Sequence, residues 1–437
     1  MPQQDIFQLQ AVQEIVKKIQ TLIYDEVWDL QELEEQIRRN VLSLGAILMG
    51  EALAKLDAEL RTSHCKSCGG RMHQRKRFRT LATLVGSVRF TRSQGSCQSC
   101  GAVVYWLDRE LGIASYQGSS RGVQALQALC AASWGYARSA EVVSRLLGIK
   151  TPAMSVYRNV TRSDEEAQVG EQKAQESSSV HETVQPIMVD ADGVMIHSRD
   201  KVDVEENAQL RMEGKVVCVW ANKECISRNR YRLTDKRYYA TFKPLEQISS
   251  SVYQDVFKRA RARYPAEQVV VRGDGGSWIR TLYREWFSRG RVLLDAYHLR
   301  KKIHTRLKEA FHPTDRERIH DGHRLYHLVK GGKVLMAQQQ VRQLSTQTER
   351  LRNPVALRKL EAYLIRHQEG MWYPQARAEG IDIGTGAIEK GGDVVICRRF
   401  KLRGMRWSRV GAEKVLQYRL LVLNNEWDSY WQMRRSA

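Results

Sequence analysis

Apolar residues recur at helical spacing through the first sixty positions: Ile15, Ile19, Leu22 and Ile23, then Leu30, Leu33, Ile37, Val41 and Leu44. Charge occupies the other faces and no proline follows Pro2, so the period predicts a helical arm over 1–62, a packing or dimerisation element. From His64 to about Asp108 the pattern becomes strand-like, with Thr83-Leu-Val, Gly86 and Ser87-Val-Arg-Phe-Thr91 predicting a separate segment over 63–110. Helical spacing returns over 111–165. Val123, Leu126, Leu129 and Cys130 mark one helix; Ser139, as a cap ahead of Glu141, Val142, Val143 and Leu146, predicts a second. Gly148 ends it, and Thr151-Pro152 opens a third. Helix, glycine turn and short capped helix together make a helix-turn-helix arrangement. Residues 166–184, rich in Glu, Gln and Ser, predict a linker.

At about 150 residues per domain, 437 residues suggest about three domains. Lys and Arg number 70 against 49 Asp and Glu, a formal charge of +21, which points to a polyanionic partner and first to nucleic acid. No uncharged apolar run approaches the roughly 20 residues of a bilayer span. The longest, Gly122 to Ala137, is interrupted by Gln124, Gln127 and Ser133. The first residues lack a basic stretch followed by an apolar core, so secretion is not expected and a cytoplasmic location is.

Four of the eight cysteines form two tight pairs, Cys65-Lys-Ser-Cys68 and Cys97-Gln-Ser-Cys100, with 28 residues between them. Glycine follows each pair and lets the chain turn back, so that backbone amides face the sulfurs. Four thiolates at this spacing predict a structural Zn²⁺ site in a zinc ribbon with an inserted hairpin. Arg71, Arg75, Lys76, Arg77 and Arg79 surround it and lean towards DNA. In the last helix of the helix-turn-helix, Val156, Tyr157 and Val160 are expected to pack inward. Ser155, Arg158, Asn159 and Arg162 then face out, able to reach bases and phosphates.

Against this basic background, carboxylates inside apolar strand-like runs stand out. They occur in Pro186-Ile-Met-Val-Asp190-Ala-Asp192-Gly, Gln268-Val-Val-Val-Arg-Gly-Asp274-Gly-Gly and Arg291-Val-Leu-Leu-Asp295-Ala-Tyr-His298; a further strand, Lys215 to Trp220, follows the first. Asp190 and Asp192 share a face of one strand. Buried ionised carboxylates are costly unless paired or on a metal, so several at strand ends suggest a hard cation such as Mg²⁺. Glu389, in Gly384-Thr-Gly-Ala-Ile-Glu389-Lys, falls in the first turn of a helix opened by Thr385 or Gly386. Gly391 and Gly392 follow within that helix, each costing about 1 kcal/mol relative to alanine. The helix then meets Arg398, Arg399, Lys401, Arg403, Arg406 and Trp407, a basic stretch with aromatics interleaved, suited to phosphates and base stacking.

Gly273-Asp274-Gly, Leu294-Asp295-Ala-Tyr-His298-Leu-Arg-Lys301 and Gly384-Thr-Gly-Ala-Ile-Glu389 with Arg399 to Trp407 together resemble bacterial insertion-sequence DDE transposases of the Mutator-like superfamily, ISKra and ISLre types. The resemblance implies a multidomain chain: an α/β ribonuclease H-like catalytic domain over 185–437, with a helical insertion at about 298–381. It assigns the catalytic acids to Asp192, Asp274 and Glu389, with Asp190 the alternative first ligand and Asp295 and His298 in supporting or DNA-positioning roles. Two Mg²⁺ ions, replaceable by Mn²⁺, would sit on the three acids. The partners implied are double-stranded DNA, as terminal inverted repeats and target, and a homodimer or higher oligomer in a bacterial, nucleoid-associated setting. Three other expectations compete: a transposase-derived regulator that binds without chemistry, a ribonuclease H-like nuclease that cuts without joining, and a non-catalytic structural protein whose acids only form surface ion pairs.

Overall fold

The computed structural model describes residues 10–24, 29–161, 186–200, 210–227, 230–263, 268–384 and 386–436, and divides into two compact units, Met1–Asp164 and Glu165–Ala437. The expected linker and Arg162 lie outside the described residues. Among those described, no helix is long and apolar enough to cross a membrane.

The first unit begins with α1 (Gln10–Tyr24) and α2 (Leu30–Leu60), whose N-terminus is capped by Asp29 accepting from the Gln31 amide at 3.0 Å. An antiparallel sheet follows, β1 (Met72–Thr83), β2 (Gly86–Cys97) and β3 (Val103–Tyr105), ordered β1-β2-β3. Thr83 pairs with Gly86, so the strand-like run between the cysteine pairs folds as a hairpin with its tip there. The second half of α2 covers β2: Leu53 joins Leu81, Val88, Phe90 and Leu107 in one apolar cluster. Buried Asp57 accepts from the Ser93 amide (2.9 Å) and hydroxyl (2.7 Å), satisfying a carboxylate that would otherwise be costly at this seam. Leu30, Ile37 and Val41 remain exposed on the helix.

After α3 (Trp106–Glu110) come α4 (Arg121–Ser133), α5 (Tyr136–Leu147) and α6 (Ala153–Thr161). Gly148 ends α5 in the left-handed region, φ 62°. The cap of α5 differs from expectation. Its N-cap is Gly135, and Ser139 is buried inside the helix, its hydroxyl donating back to the Gly135 carbonyl at 3.0 Å.

The second unit is built on a five-stranded sheet of β4 (Ile187–His197), β5 (Arg211–Trp220), β8 (Lys236–Thr241), β9 (Val269–Gly273) and β10 (Arg291–Leu294), in the order β10-β9-β4-β5-β8. The short hairpin of β6 (Lys223–Ser227) and β7 (Arg230–Leu233) interrupts the path from β5 to β8. β4, β5 and β8 form an antiparallel meander, whereas β9 and β10 run parallel to β4. Parallel pairs need crossovers, supplied by α7 (Glu246–Arg263) and α8 (Ser277–Trp286). Ile187, Val189, Ala191, Val217, Val219, Val269 and Val271 project from one sheet face into a core with Val252, Val256, Ile279 and Leu282 of these helices. The other face carries Asp190 and Asp192.

Between β10 and the Glu389 segment the chain is helical: α9 (Ala296–Ala310), α10 (Glu317–Lys330), α11 (Val334–Ser345), α12 (Pro354–Arg366) and α13 (Tyr373–Ala378). Then α14 (Gly386–Gly392), a π-helical turn over Asp393–Cys397 and α15 (Arg398–Phe400) lead to α16 (Arg409–Leu423) and α17 (Trp427–Ser436). Buried Glu413 of α16 accepts from the Thr241 hydroxyl at 2.7 Å and the Phe242 amide at 2.8 Å, fastening the C-terminal helices to the end of β8.

Candidate functional site

Two places in the molecule gather chemistry. In the first unit the four paired cysteines form the only group of three or more His, Cys, Asp or Glu among the described residues whose ligand atoms all lie within 4.8 Å. Each pair sits on a tight turn: the Gly69 amide donates to the Cys65 carbonyl at 2.9 Å and the Gly101 amide to the Cys97 carbonyl at 3.1 Å. Gly69 and Gly101 have φ of 70° and 72°, a region costly for other residues. Backbone amides favour the anionic form of one sulfur in each pair: those of Cys100 and Ser99 draw Cys97 down to about 6, and those of Ser67 and Cys68 lower Cys65, while the Cys100 and Cys97 sulfurs and burial push Cys68 up. A soft, compact, four-thiolate set of this kind suits Zn²⁺ in a closed structural site.

The basic residues near it divide. Arg79 pairs with Asp108 at 2.6 Å and donates to the Ala114 and Gln117 carbonyls, so it braces the fold. Arg75, Lys76 and Arg77 are exposed along β1 beside Phe78. On α6, Val156 and Val160 are fully buried, Ser155 is half-buried and Arg158 is exposed. Asn159 does not face out. Its amide donates to Ser119 Oγ at 3.1 Å and to Gln127 Oε1, because polar Gln127 lies buried on the facing helix and needs a partner.

The second place is on the larger sheet, where β9 ends beside central β4. Asp192 lies on central β4, and Asp274 directly follows β9, the neighbouring parallel strand. Each carboxylate is held by a nearby backbone amide: within β4, Asp192 Oδ1 accepts the Gly193 amide, and in the loop after β9, Asp274 Oδ1 accepts the Gly276 amide, both at 2.8 Å. Glu389 is exposed in the first turn of α14. Burial pushes the Asp192 carboxyl up to about 6; the charges of Asp274 and Glu389 add to the rise, while the Gly193 amide and His298 oppose it. Asp274 and Glu389 therefore both act on Asp192, without the three acids reaching the mutual 4.8 Å of the cysteine cluster.

The two helix glycines have a reason. A Cβ at Gly392 would stand 3.0 Å from Val194 Cγ2 and 3.9 Å from Asp192 Oδ2, and one at Gly391 3.1 Å from Tyr238 Cε1. Their absence lets α14 lie directly on the sheet. The π turn beyond it is secured by Arg419 of α16, whose Nε donates to the Val394 and Val395 carbonyls at 3.0 and 2.9 Å.

Asp295 is fully buried and caps α9, accepting the His298 amide at 2.6 Å. His298 Nδ1 lies 3.0 Å from the same oxygen. That bond, aided by Asp274 and Asp192, raises the imidazole's affinity for a proton against the effect of burial. Asp190 is placed differently from its neighbour. Arg272 and Trp220 Nε1 occupy both its oxygens.

The basic stretch after α14 also divides. Arg398, Lys401, Arg403 and Arg406 are exposed, Arg398 pairing with Asp393 at 3.0 Å. Arg399 and Trp407 are interior. The guanidinium carbon of Arg399 lies 4.8 Å from the Trp407 ring centre, Trp407 Nε1 donates to the Phe400 carbonyl at 3.1 Å, and its amide donates to the His197 carbonyl at 3.1 Å. The aromatics expected to stack on bases are thus spent on holding the stretch against the end of β4. Sequence spacing did not single out Arg272, Glu413 or Arg419; buried charge in a chain this basic was the available signal.

Fold and site define a two-unit protein, one unit carrying a four-cysteine cluster and the other a mixed sheet with helices and carboxylates where β9 ends beside central β4. The chain belongs to the uncharacterised protein family UPF0236, which it matches over residues 23–428. Its relatives include UPF0236 protein TTE2489 of Caldanaerobacter subterraneus subsp. tengcongensis, 21% identical over 354 residues, 80% of this chain and 70% of the relative. UPF0236 protein TTE0402 of the same organism is 20% identical over 354 residues, 80% of this chain and 65% of the relative. Among solved structures, the Drosophila P element transposase strand transfer complex is similar at 10% identity and a TM-score of 0.25, covering 76% of this chain and 84% of that one.

Proposed function

We propose that this chain is a DNA transposase that cleaves insertion-sequence ends and joins them to target DNA in a metal-dependent reaction. The observation that carries the reading is that Asp192, Asp274 and Glu389, from three distant stretches of sequence, come near one another on the larger sheet: burial raises the Asp192 carboxyl to about 6, and the charges of Asp274 and Glu389 add to the rise. The strand order β10-β9-β4-β5-β8 with an antiparallel meander is what a ribonuclease H-like unit has, and it supports the same reading.

The donor set fits a hard divalent cation: three carboxylates, two of them with one oxygen held by a backbone amide. Asp192, Asp274 and Glu389 would hold it, and Mg²⁺ or Mn²⁺ bound there supplies charge stabilisation to a phosphodiester undergoing in-line displacement. A carboxyl raised by burial and by neighbouring like charge is one that a bound cation favours ionising. Asp295 holds the His298 ring with Nδ1 tied, leaving Nε2 to take or give a proton or to hold a phosphate oxygen. Arg398, Lys401, Arg403 and Arg406 offer backbone contacts beyond the acids, and Arg158 and the β1 basic run offer them in the other unit. Zn²⁺ on Cys65, Cys68, Cys97 and Cys100 would serve structure alone. Cleavage at paired ends implies at least a homodimer.

The test is an end-cleavage and strand-transfer assay in Mg²⁺ or Mn²⁺ with Asp192→Ala, Asp274→Ala and Glu389→Ala. Full activity in any one removes that residue from the role. Cleavage without joined product would make the protein a nuclease, and metal-independent binding with neither product a regulator.

A further inference from the structure

Asp190 precedes Asp192 by two residues, Arg272 precedes Asp274 by two, and the two pair directly across parallel strands β4 and β9. Side chains two apart on a strand share a face, so Asp190 lies one pleat repeat, roughly 6.6 Å, from Asp192 on the same side of the sheet. Both members of the pair are out of water, their side chains 0% and 2% exposed. The guanidinium spends all its edges. Nε donates to Asp190 Oδ1 at 2.8 Å, one terminal nitrogen donates to Asp190 Oδ2 at 2.7 Å, and the other to the Asp382 carbonyl at 2.5 Å. Trp220 Nε1 adds a bond of 2.8 Å to Asp190 Oδ2.

Asp382 stands just before the segment that enters α14 and delivers Glu389. The next carbonyl, of Ile383, accepts from the Ala296 amide at 3.0 Å, and the Asp295 amide donates to the Gly273 carbonyl at 2.8 Å. One side chain therefore touches the strand of the first acid, belongs to the strand of the second, and grips the approach to the third. A buried ion pair is a weak source of stability compared with apolar residues of like volume. Its fixed fork geometry is what such residues would lack.

We propose that Arg272, neutralised by Asp190, is a positioning residue that sets the separation of Asp192, Asp274 and Glu389. It touches neither substrate nor cation and acts through the three segments it joins. The inference rests on the metal-dependent reading of the acidic site. It also accounts for a second carboxylate two residues from Asp192: the chain needs Asp190 as a counter-ion. Lysine in place of Arg272 keeps the charge but cannot bridge Asp190 and the Asp382 carbonyl in one plane.

The experiment measures binding of Mn²⁺ alone to the full chain by electron paramagnetic resonance, beside calorimetric melting and DNA cleavage over a range of Mn²⁺ concentration. Arg272→Lys is compared with the double variant Asp190→Leu, Arg272→Met, whose apolar pair keeps the bulk and leaves no charge unpaired. Both are expected to melt cooperatively, to bind Mn²⁺ about 10- to 100-fold more weakly, and to recover cleavage as Mn²⁺ is raised. A purely structural role would not move the metal requirement of folded protein. Binding unchanged from the parent chain in either folded variant overturns the positioning role alone, as does failure of both variants to melt cooperatively. Loss of no Mn²⁺ signal in Asp192→Ala, with none bound by the parent at this site, overturns the metal reading and the inference with it.

Discussion

His298 Nδ1 and Asp295 Oδ1 stand 3.0 Å apart, and the same oxygen accepts the His298 amide at 2.6 Å, so one buried carboxylate both caps α9 and aims the imidazole at its mouth. Replacing Asp295 with alanine removes cap and ring anchor together. The expected loss is about 1 kcal/mol of stability from the cap, with a larger fall in DNA cleavage. His298→Gln, which leaves the cap, should melt near the parent temperature and still lose at least about tenfold in rate. Parallel melting and cleavage measurements separate the two; equal activity in His298→Gln would free the imidazole from the reaction.

Asp192 provides a pH signature. Its carboxyl is raised from 3.8 to about 6, so the folded chain keeps the proton longer than the unfolded chain does. Its contribution to stability is full below pH 3.8 and declines as pH rises towards 6. Asp192→Asn should therefore raise the melting temperature at pH 8 relative to the parent, with little difference near pH 4, while abolishing cleavage. Calorimetry at the two pH values checks it, and a variant that melts lower at pH 8 would contradict the cost of holding the Asp192 charge buried beside Asp274 and Glu389.

His367 behaves in the opposite sense. Its ring meets that of Tyr363 at a tilt of 48°, 4.5 Å between ring centres, and lies against Gly275, where a Cβ would come within 2.8 Å of its Cε1. Burial, with Arg280 and Arg366 adding, lowers it from 6.5 to about 4. The unfolded chain takes the proton first, so stability is full above pH 6.5 and is lost as pH falls towards 4. His367→Phe should flatten that acid-side decline in a melting-temperature profile.

Chelation addresses the cysteine cluster. The parent chain should carry about one zinc per chain by elemental analysis, and Cys97→Ser should lose it along with the melting transition of the first unit. Gly101→Ala, at φ 72°, should weaken zinc retention without removing a ligand. Zinc content unaffected by Cys97→Ser would place the metal elsewhere.

On α6 the two neighbours should part. Arg158→Ala should weaken DNA binding in a salt-dependent way and leave melting unchanged. Asn159→Ala strands the buried Gln127 amide and should cost about 1–3 kcal/mol, seen in denaturant unfolding. A DNA-specific defect in Asn159→Ala at unchanged stability would return it to the surface role that its helical position suggested.

Much was legible in one dimension wherever a local rule governs. The Cys-x-x-Cys pairs with following glycines, the helix end at Gly148, the apolar strands carrying Asp192 and Asp274, and the place of Glu389 in a first helical turn all follow from spacing and backbone preference. What spacing could not decide was partnership. Asp190 and Asp192 have identical periodicity, yet Arg272 on the next strand claims one and leaves the other. Asn159, Arg399 and Trp407 carry the composition of a nucleic-acid surface, yet Gln127, Phe400 and the His197 carbonyl draw them inward. Gly391 and Gly392 look like defects in a helix until the sheet beneath them is known. A side chain's direction follows from its own backbone, which sequence encodes locally; whether it meets solvent, a counter-ion or another acid depends on strands and helices brought together from far along the chain, and only packing settles that.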